Sequence, residues 1–388
     1  MNLELTHAMA FGLSLLVLLI WCVLVFARAG FWRVRKPAPS PRPAAWPPVV
    51  GIIPARNEAD VIGRAVTGVL GQHYAGRLHL IVVDDHSSDG TADIARAAAL
   101  SIGKADQLTV VAARDLPAGW SGKVWAQSEG LAAADVQMPD AGFAFLTDAD
   151  IWHGPGTVTE LLARAEAERR DLVSLMVRLR CESAWERMIV PAFVFYFAKL
   201  YPFARVADPS SRVAAAAGGC MLARRSALAR IGGFHAIRGE LIDDCSLAAR
   251  IKEGGPIRLD LADDSVSLRP YDDWESLWNM IARSAYTQLH YSPWMLAGAT
   301  LGMILTYLAP PVLALAGGAA LWPAWLAWIL MAVSYRPMLR EYRQPAWLAP
   351  LLPLTALFYL GATLDSARRY WLRRGGQWKG RAQAPIRS

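Results

Sequence analysis

Leu80-Ile81-Val82-Val83-Asp84-Asp85-His86-Ser87-Ser88-Asp89-Gly90-Thr91 joins an unbroken apolar run to a loop that carries three carboxylates. A short apolar run without polar alternation suits a strand buried on both faces, as in a parallel sheet covered by helices. The pattern recurs on either side. Upstream, residues 49–53 read as a strand that enters Pro54-Ala55-Arg56-Asn57-Glu58, and a helical pattern covers about 60–70. Downstream come a helix from Thr91, a strand at 109–111, a helix at 124–134, a strand at 143–147, a helix at 158–168 and a strand at 172–177. Strands alternating with amphipathic helices predict an α/β domain with a mostly parallel, Rossmann-like sheet. Its ligand site is expected at the carboxyl ends of the strands, where both polar loops fall.

Helix capping explains part of the 84–91 loop, since Ser88 or Asp89 precedes a helix at Thr91 and Gly90 eases the turn. It accounts for one acidic residue, whereas Asp84 and Asp85 are adjacent, and paired carboxylates are costly unless they meet donors or a cation. The amide of a base such as uracil, together with a ribose, supplies such donors. Thr147-Asp148-Ala149-Asp150 ends another strand. If the chain stays extended there, Asp148 and Asp150 fall on one side and converge on one cation. Hard oxygen ligands of this kind suit Mg²⁺ or Mn²⁺ shared with substrate phosphates. Further on, Gly218-Gly219-Cys220-Met221 precedes a helix near Arg225, and Ile242-Asp243-Asp244-Cys245 opens another helix. Acidic residues at a helix start can simply complement its dipole. A sugar acceptor also needs a general base near its hydroxyl, and this acidic pair is a candidate.

The flanks of the domain are of another kind. Residues 8–26 form an uncharged run long enough to span a bilayer. Of ionisable residues only Glu4 and His7 precede the run, without the positive charge a signal peptide needs, and no cleavage site follows, so an uncleaved anchor is expected. Arg28, Arg33, Arg35 and Lys36 follow it and place that side in the cytosol. The anchor region is therefore 1–36, and 37–48 is a proline-rich, stiff linker. Residues 294–335 contain no Asp, Glu, Lys, Arg or His. One helix of that length would run about 60 Å, twice the hydrocarbon thickness. Two spans are expected instead, 295–314 and 317–335, with a break at Pro310–Pro311 or Gly317–Gly318. Residues 346–364 add a third, interrupted by Pro350 and Pro353. The membrane region is then 292–365, followed by a basic tail at 366–388. Three spans after a cytosolic domain put that tail outside, against the positive-inside tendency, and a re-entrant 346–364 is the alternative. Residues 185–203 (WERMIVPAFVFYFAKLYPF), inside the expected 49–291 domain, read either as a core helix or as an aromatic-rich helix lying at the membrane interface, the reading adopted here.

Composition narrows the function. The chain has 388 residues, 54% of them hydrophobic, and a formal charge of +7. The apolar residues are clumped and the basic ones flank the apolar runs, including Arg368, Arg369, Arg373, Arg374, Lys379, Arg381 and Arg387. That placement suits a membrane and its anionic lipids rather than nucleic acid, which is not an expected partner. Cys22, Cys181, Cys220 and Cys245 show no paired spacing, so neither a disulfide frame nor a cysteine-bound metal is expected.

In order, PARNE, DDHSSDGT, GWSGKVWA, TDAD, GGCMLARR and IDDCSL resemble the family 2 glycosyltransferases of GT-A fold, from residue 54 to residue 247. Leu116-Pro117-Ala118-Gly119-Trp120-Ser121-Gly122-Lys123-Val124-Trp125-Ala126 is similar to the branch that holds the hopanoid-biosynthesis-associated and carotenoid glycosyltransferases, the former most of all. Ceramide glucosyltransferase is a more distant relative. The resemblance implies a nucleotide-diphosphate sugar donor, a UDP-sugar, and a membrane lipid acceptor such as a hopanoid or other terpenoid. It places Pro54, Arg56 and Glu58 along the nucleotide, Asp84 or Asp85 on its base, and Lys123 at the diphosphate, where an ammonium charge is suited. Asp148 and Asp150 would hold Mg²⁺ or Mn²⁺, with Asp148 also at the donor, and Asp244 would be the base of an inverting transfer. The implied location is the inner (cytoplasmic) membrane, multi-pass, with the catalytic domain cytosolic. The chain departs from the family's Q-x-x-R-W motif: Trp278-Asn279-Met280-Ile281-Ala282-Arg283-Ser284 keeps only Arg283, which weakens a processive polymerase reading.

Two other classes use some of these features. A membrane nucleotidyltransferase also pairs carboxylates with a metal, but a glycine-rich phosphate loop is its usual mark and Pro54–Asp60 lacks glycine. A lipid-binding scaffold would leave the ordered acidic loops unexplained.

Overall fold

The computed structural model describes residues 3–372, 377–378 and 381–382. They fall into two compact units. The first, 35–180 and 205–270, is an α/β unit built on an eight-stranded sheet. Its strands are β1 (Val49–Ala55), β2 (Leu78–Asp84), β3 (Leu108–Ala112), β4 (Phe143–Leu146), β5 (Ile151–His153), β6 (Leu172–Arg178), β7 (Met221–Arg224) and β8 (Ile257–Ser267). Their spatial order is β3-β2-β1-β4-β7-β6-β8-β5. β3, β2, β1 and β4 run parallel to one another, as do β6 and β8, while β7 is antiparallel to both β4 and β6, and β5 to β8. Every residue of β1 is buried, as a strand covered on both faces requires. The helix Ala59–Leu70 buries Ile62, Ala65, Val66, Val69 and Leu70, residues spaced for a single face.

The elements expected from 49 to 178 are present, longer by a residue or two at several ends. β5, β7 and β8 were not expected. β5 and β7 have three and four residues, too short to show a period. β8 is interrupted by Asp260, Asp263 and Asp264, and Asp260 is tolerated in the interior because Arg258 Nε lies 2.6 Å from it.

The second unit, 3–34, 181–204 and 271–372, is helical. Four of its helices are long and apolar enough to cross a membrane: Thr6–Ala27, Pro293–Ala316, Gly318–Glu341 and Ala346–Trp371. The break expected within 294–335 falls at Gly317, whose φ is +78°. Pro310 and Pro311 lie instead inside the continuous helix Pro293–Ala316, just after its π-helical turn Ile304–Leu308, and the Thr306 carbonyl that Pro310 cannot bond accepts from Trp21 Nε1 at 2.7 Å. The last segment starts as a 3₁₀ turn, Ala346–Leu351, and continues as the helix Leu352–Trp371. Of the basic tail, Arg368 and Arg369 both pair with Asp365, and Arg381 lies in a two-residue strand antiparallel to Gln377–Trp378. Arg373, Arg374, Lys379 and Arg387 lie outside the described residues.

The expected single stretch 49–291 is divided between the units, because 181–204 and 271–291 cluster with the apolar helices. The aromatic segment forms the helix Ala184–Leu200, opened by a Ser183–Glu186 capping box. Phe195 is fully buried, 5.3 Å from the Phe31 ring and 5.2 Å from that of Tyr335, and the Tyr196 hydroxyl lies 3.0 Å from Thr355 Oγ1. Phe193 and Phe197 are only half-buried. The segment is thus a packed helix of the helical unit, with its aromatic residues divided between interior and surface.

Candidate active site

The first two strand-end loops are laced together. The backbone N–H of Asn57 donates to Ser87 Oγ (3.0 Å), that of Glu58 to Thr91 Oγ1 (2.9 Å) and that of Ala59 to Asp89 Oδ2 (3.0 Å). In return Ser88 N–H donates to Asn57 Oδ1 at 2.9 Å. Asn57 and His86 both take positive φ, 51° and 55°, a conformation that an asparagine side chain tolerates better than most. The result is one joined rim above β1 and β2. Asp85 is fully buried beneath it, with Arg56 Nη1 3.6 Å from its carboxylate and donating to its backbone carbonyl at 2.5 Å. Asp84 is half-buried and accepts from the Ser87 N–H, so of the adjacent pair it is the one nearer the surface. Pro54 is buried within β1, while Arg56 and Glu58 are half-buried on the rim.

After β4 the chain turns at Ala149–Asp150 instead of staying extended, which corrects the expectation that Asp148 and Asp150 share one face of an extended segment. Each carboxylate meets its own cation. Lys123 Nζ is 2.8 Å from Asp148 Oδ1, and Arg269 Nε is 2.8 Å from Asp150 Oδ2. Beneath them Thr147 Oγ1 donates to the Gly219 carbonyl at 2.8 Å and meets His153 Nε2 at 2.8 Å, whose Nδ1 in turn reaches Ser265 Oγ at 2.8 Å. Burial lowers the His153 pKa to about 3, so the ring is a neutral brace rather than a proton carrier.

Lys123 joins this half of the site to the other. It lies in the first turn of the helix Gly122–Gln137, whose start is fixed by Trp120 packed on Trp125 and His235 and by a bond from Ser121 N–H to the Arg238 carbonyl. Its ammonium also sits 3.1 Å from Asp243 Oδ2, which Gln127 Nε2 reaches at 3.3 Å. Burial alone would lower the Lys123 pKa, but Asp148, Asp243 and Asp244 outweigh it and the pKa is raised, so the amine stays charged.

Asp244 is held by two backbone donors, Gly218 N–H at 2.8 Å and Cys245 N–H at 2.7 Å. Glycine at position 218 eases this approach, since a Cβ there would be tight, 3.2 Å from Lys123 Nζ and 3.4 Å from Asp244 Oδ2. Burial first, and then the Asp243 charge, push the Asp244 carboxyl up to about 6, against the opposing pull of Lys123 and the two N–H groups. The structure therefore brings Lys123, Asp148, Asp243 and Asp244 into one cluster and Glu58, Asp150 and Arg269 into another.

Arg269, Gln127 and His153 were not foreseen. Arg269 lies 119 residues beyond Asp150, so no local spacing marks it. Among the described residues no group of three or more His, Cys, Asp or Glu is arranged to hold a metal alone. Asp148 and Asp150 still offer only hard oxygen donors, which fits a divalent cation that completes its shell with substrate phosphates and water.

Residues 52–232 match the family model described as Glycosyl transferase family 2. The chain carries a glycosyltransferase family 2 domain. It is an enzyme of that chemistry, which decides against the nucleotidyltransferase and scaffold alternatives. The matched stretch of this glycosyltransferase holds both rim loops, Lys123, Asp148 and Asp150, and ends before Asp243, Asp244 and Arg269. Its α/β sheet is of GT-A type, in keeping with a solved mannosyltransferase, PcManGT from Pyrobaculum calidifontis, in complex with GDP-Man and Mn²⁺. The two share 22% identity, with 93% of this chain and 98% of that one covered at a TM-score of 0.57. Glucosyl-3-phosphoglycerate synthase from Mycobacterium tuberculosis (20% identity, 63% of this chain and 79% of that one, TM-score 0.39) superposes too loosely to bear on the fold. The same holds for mannosyl-3-phosphoglycerate synthase from Rubrobacter xylanophilus (18%, 62% and 74%, TM-score 0.36). No curated protein matches the chain significantly in sequence.

Proposed function

We propose that this glycosyltransferase moves a sugar from a nucleoside diphosphate donor, a UDP-sugar, to a hydroxyl of a membrane lipid, a hopanoid or another terpenoid, with inversion. The observation that carries the transfer chemistry is the cluster of Lys123, Asp148, Asp243 and Asp244 at the strand ends of a glycosyltransferase domain. The four apolar helices support a membrane acceptor. The basic flank at Arg28, Arg33, Arg35 and Lys36 supports a cytosolic catalytic domain in the inner membrane.

In this reading the rim of Arg56, Glu58, Asp84 and Asp85 takes the nucleotide, with Pro54 shaping the β1 end beneath it. Asp244 accepts the proton from the acceptor hydroxyl as that oxygen attacks the anomeric carbon, while the bond to the diphosphate breaks on the opposite face. Lys123 stabilises the departing diphosphate. Asp148 and Asp150 would hold Mg²⁺ or Mn²⁺, which supplies further charge neutralisation to the leaving group.

Lipid extracts of cells with and without the protein test the acceptor. The expected difference is one missing glycosylated terpenoid, and a missing soluble glycoside with unchanged lipids would overturn the lipid assignment. The base has its own signature. A carboxyl held near 6 works only when deprotonated, so transfer is expected to fall about tenfold per pH unit below that value and level off above it. A rate that stays flat down to about pH 5 would take Asp244 out of proton transfer.

A further inference from the structure

We propose that Arg269 is a positioning residue that couples divalent-cation binding at Asp150 to arrival of the donor diphosphate. Its Nε lies 2.8 Å from Asp150 Oδ2, and its Nη2 lies 2.9 Å and 3.3 Å from the two Glu58 oxygens. This is not a loose surface pair. Leu268 N–H donates to the Asp150 carbonyl at 2.7 Å, so the backbone exit of β8 is fixed against the Asp148–Asp150 turn and delivers the guanidinium to it. Both carboxylates are largely shielded, at 10% and 13% side-chain exposure, while the arginine keeps 35%. The arginine is thus the most exposed side chain of the three.

A dication at Asp150 has to sit beside a guanidinium already paired to the same carboxylate, and like charges at that range oppose each other. Lys123 presents the same obstacle at Asp148. A diphosphate reverses the balance, because its oxygens accept a planar guanidinium well and add negative charge next to the cation. Arg269 then turns from Asp150 towards the phosphates and leaves that carboxylate to the metal. The consequence is reciprocal linkage: nucleotide tightens metal, and metal tightens nucleotide by the same factor. The inference rests on reading the site as a donor and metal site, and it concerns what Arg269 adds to that site.

The test is Mn²⁺ binding by the full-length protein in detergent, followed through the electron paramagnetic resonance signal of free Mn²⁺. Titrations are made alone and with UDP or GDP, and thermal melting is recorded in parallel. For the wild type, the nucleotide it binds should tighten Mn²⁺ by about tenfold or more. In Arg269→Gln, Mn²⁺ alone should bind about tenfold tighter than in the wild type, and the nucleotide effect should shrink by the same factor. Glu58→Gln acts in the opposite sense, since it removes one of the carboxylates that draw the guanidinium away from Asp150, and Mn²⁺ without nucleotide should weaken. That variant keeps the question open to measurement if Arg269→Gln melts too low to study. Arg269→Gln with unchanged Mn²⁺ affinity, or Glu58→Gln with unchanged or tighter Mn²⁺, overturns the coupling role and leaves Arg269 as a structural counter-ion. A wild type that binds nucleotide while ignoring Mn²⁺ in both states overturns the metal reading itself, a separate and recognisable result.

Discussion

Asp244→Asn is expected to lower the transfer rate by about 10²–10⁴-fold, the usual worth of a positioned general base, with nucleotide affinity nearly unchanged. The substitution keeps size and shape but removes the basic oxygen. It also disturbs the carboxylate's own supports. Gly218 N–H and Cys245 N–H each take one oxygen of Asp244, and an asparagine has only one to give. One N–H then faces an amide NH₂, at a cost of about 1–3 kcal/mol if water cannot enter. A modest fall in melting temperature should therefore accompany the loss of transfer. Single-turnover transfer at saturating donor, set beside nucleotide binding by calorimetry, separates the effects. Nucleotide affinity that falls as far as the rate would move Asp244 to the donor site and leave the base unassigned.

The strand ends that carry the chemistry could be read from the chain alone because local pattern determines them. Residues 80–83 are apolar without alternation and the polar loop begins at Asp84, so strand, covering helices and ligand edge follow together. The second half of the sheet obeys other rules. β7 lies between β4 and β6 and antiparallel to both, an arrangement set by partners distant in sequence. β8 carries Asp260 in its interior, tolerable only once Arg258 and Arg164 are assembled beside it, with Glu168 pairing the same Arg258, while Asp263 and Asp264 stay exposed. The candidate site divides in the same way. Lys123, Asp148 and Asp244 stand in local motifs and were named from them. Arg269 has no motif, and its place follows from a strand pairing. The segment 185–203 shows the limit of composition, since an aromatic-rich helix has the same residues whether it lies in headgroups or packs against other helices. The ring of Phe195, enclosed between Phe31 and Tyr335, was visible only in three dimensions.

Lys123→Met is expected to lose donor binding and fold stability together, with a pH dependence that tells the two apart. The ammonium lies between Asp148 at 2.8 Å and Asp243 at 3.1 Å, and the Asp244 charge is close enough to raise its pKa. Removing one partner of a buried pair typically costs about 3–5 kcal/mol, because the charge left behind has lost its compensation. Here several carboxylates are left together, with the Gln127 amide as a remaining donor to Asp243. Asp244, already pushed up by burial and the Asp243 charge, loses the opposing pull of Lys123, so its carboxyl in the folded variant rises further above that of the unfolded chain. A folded state that holds extra protons loses stability as pH rises and regains it as pH falls. The melting difference from wild type should accordingly be large near pH 8 and narrow near pH 5, a direction opposite to ordinary acid denaturation. Nucleotide affinity follows a different course if Lys123 contacts the diphosphate. Protonating the carboxylates restores the fold but not the lost ammonium, so binding should stay weak at both pH values. Melting curves that match wild type throughout would contradict the sandwiched ammonium, and full nucleotide affinity in a folded variant at low pH would remove Lys123 from the donor site.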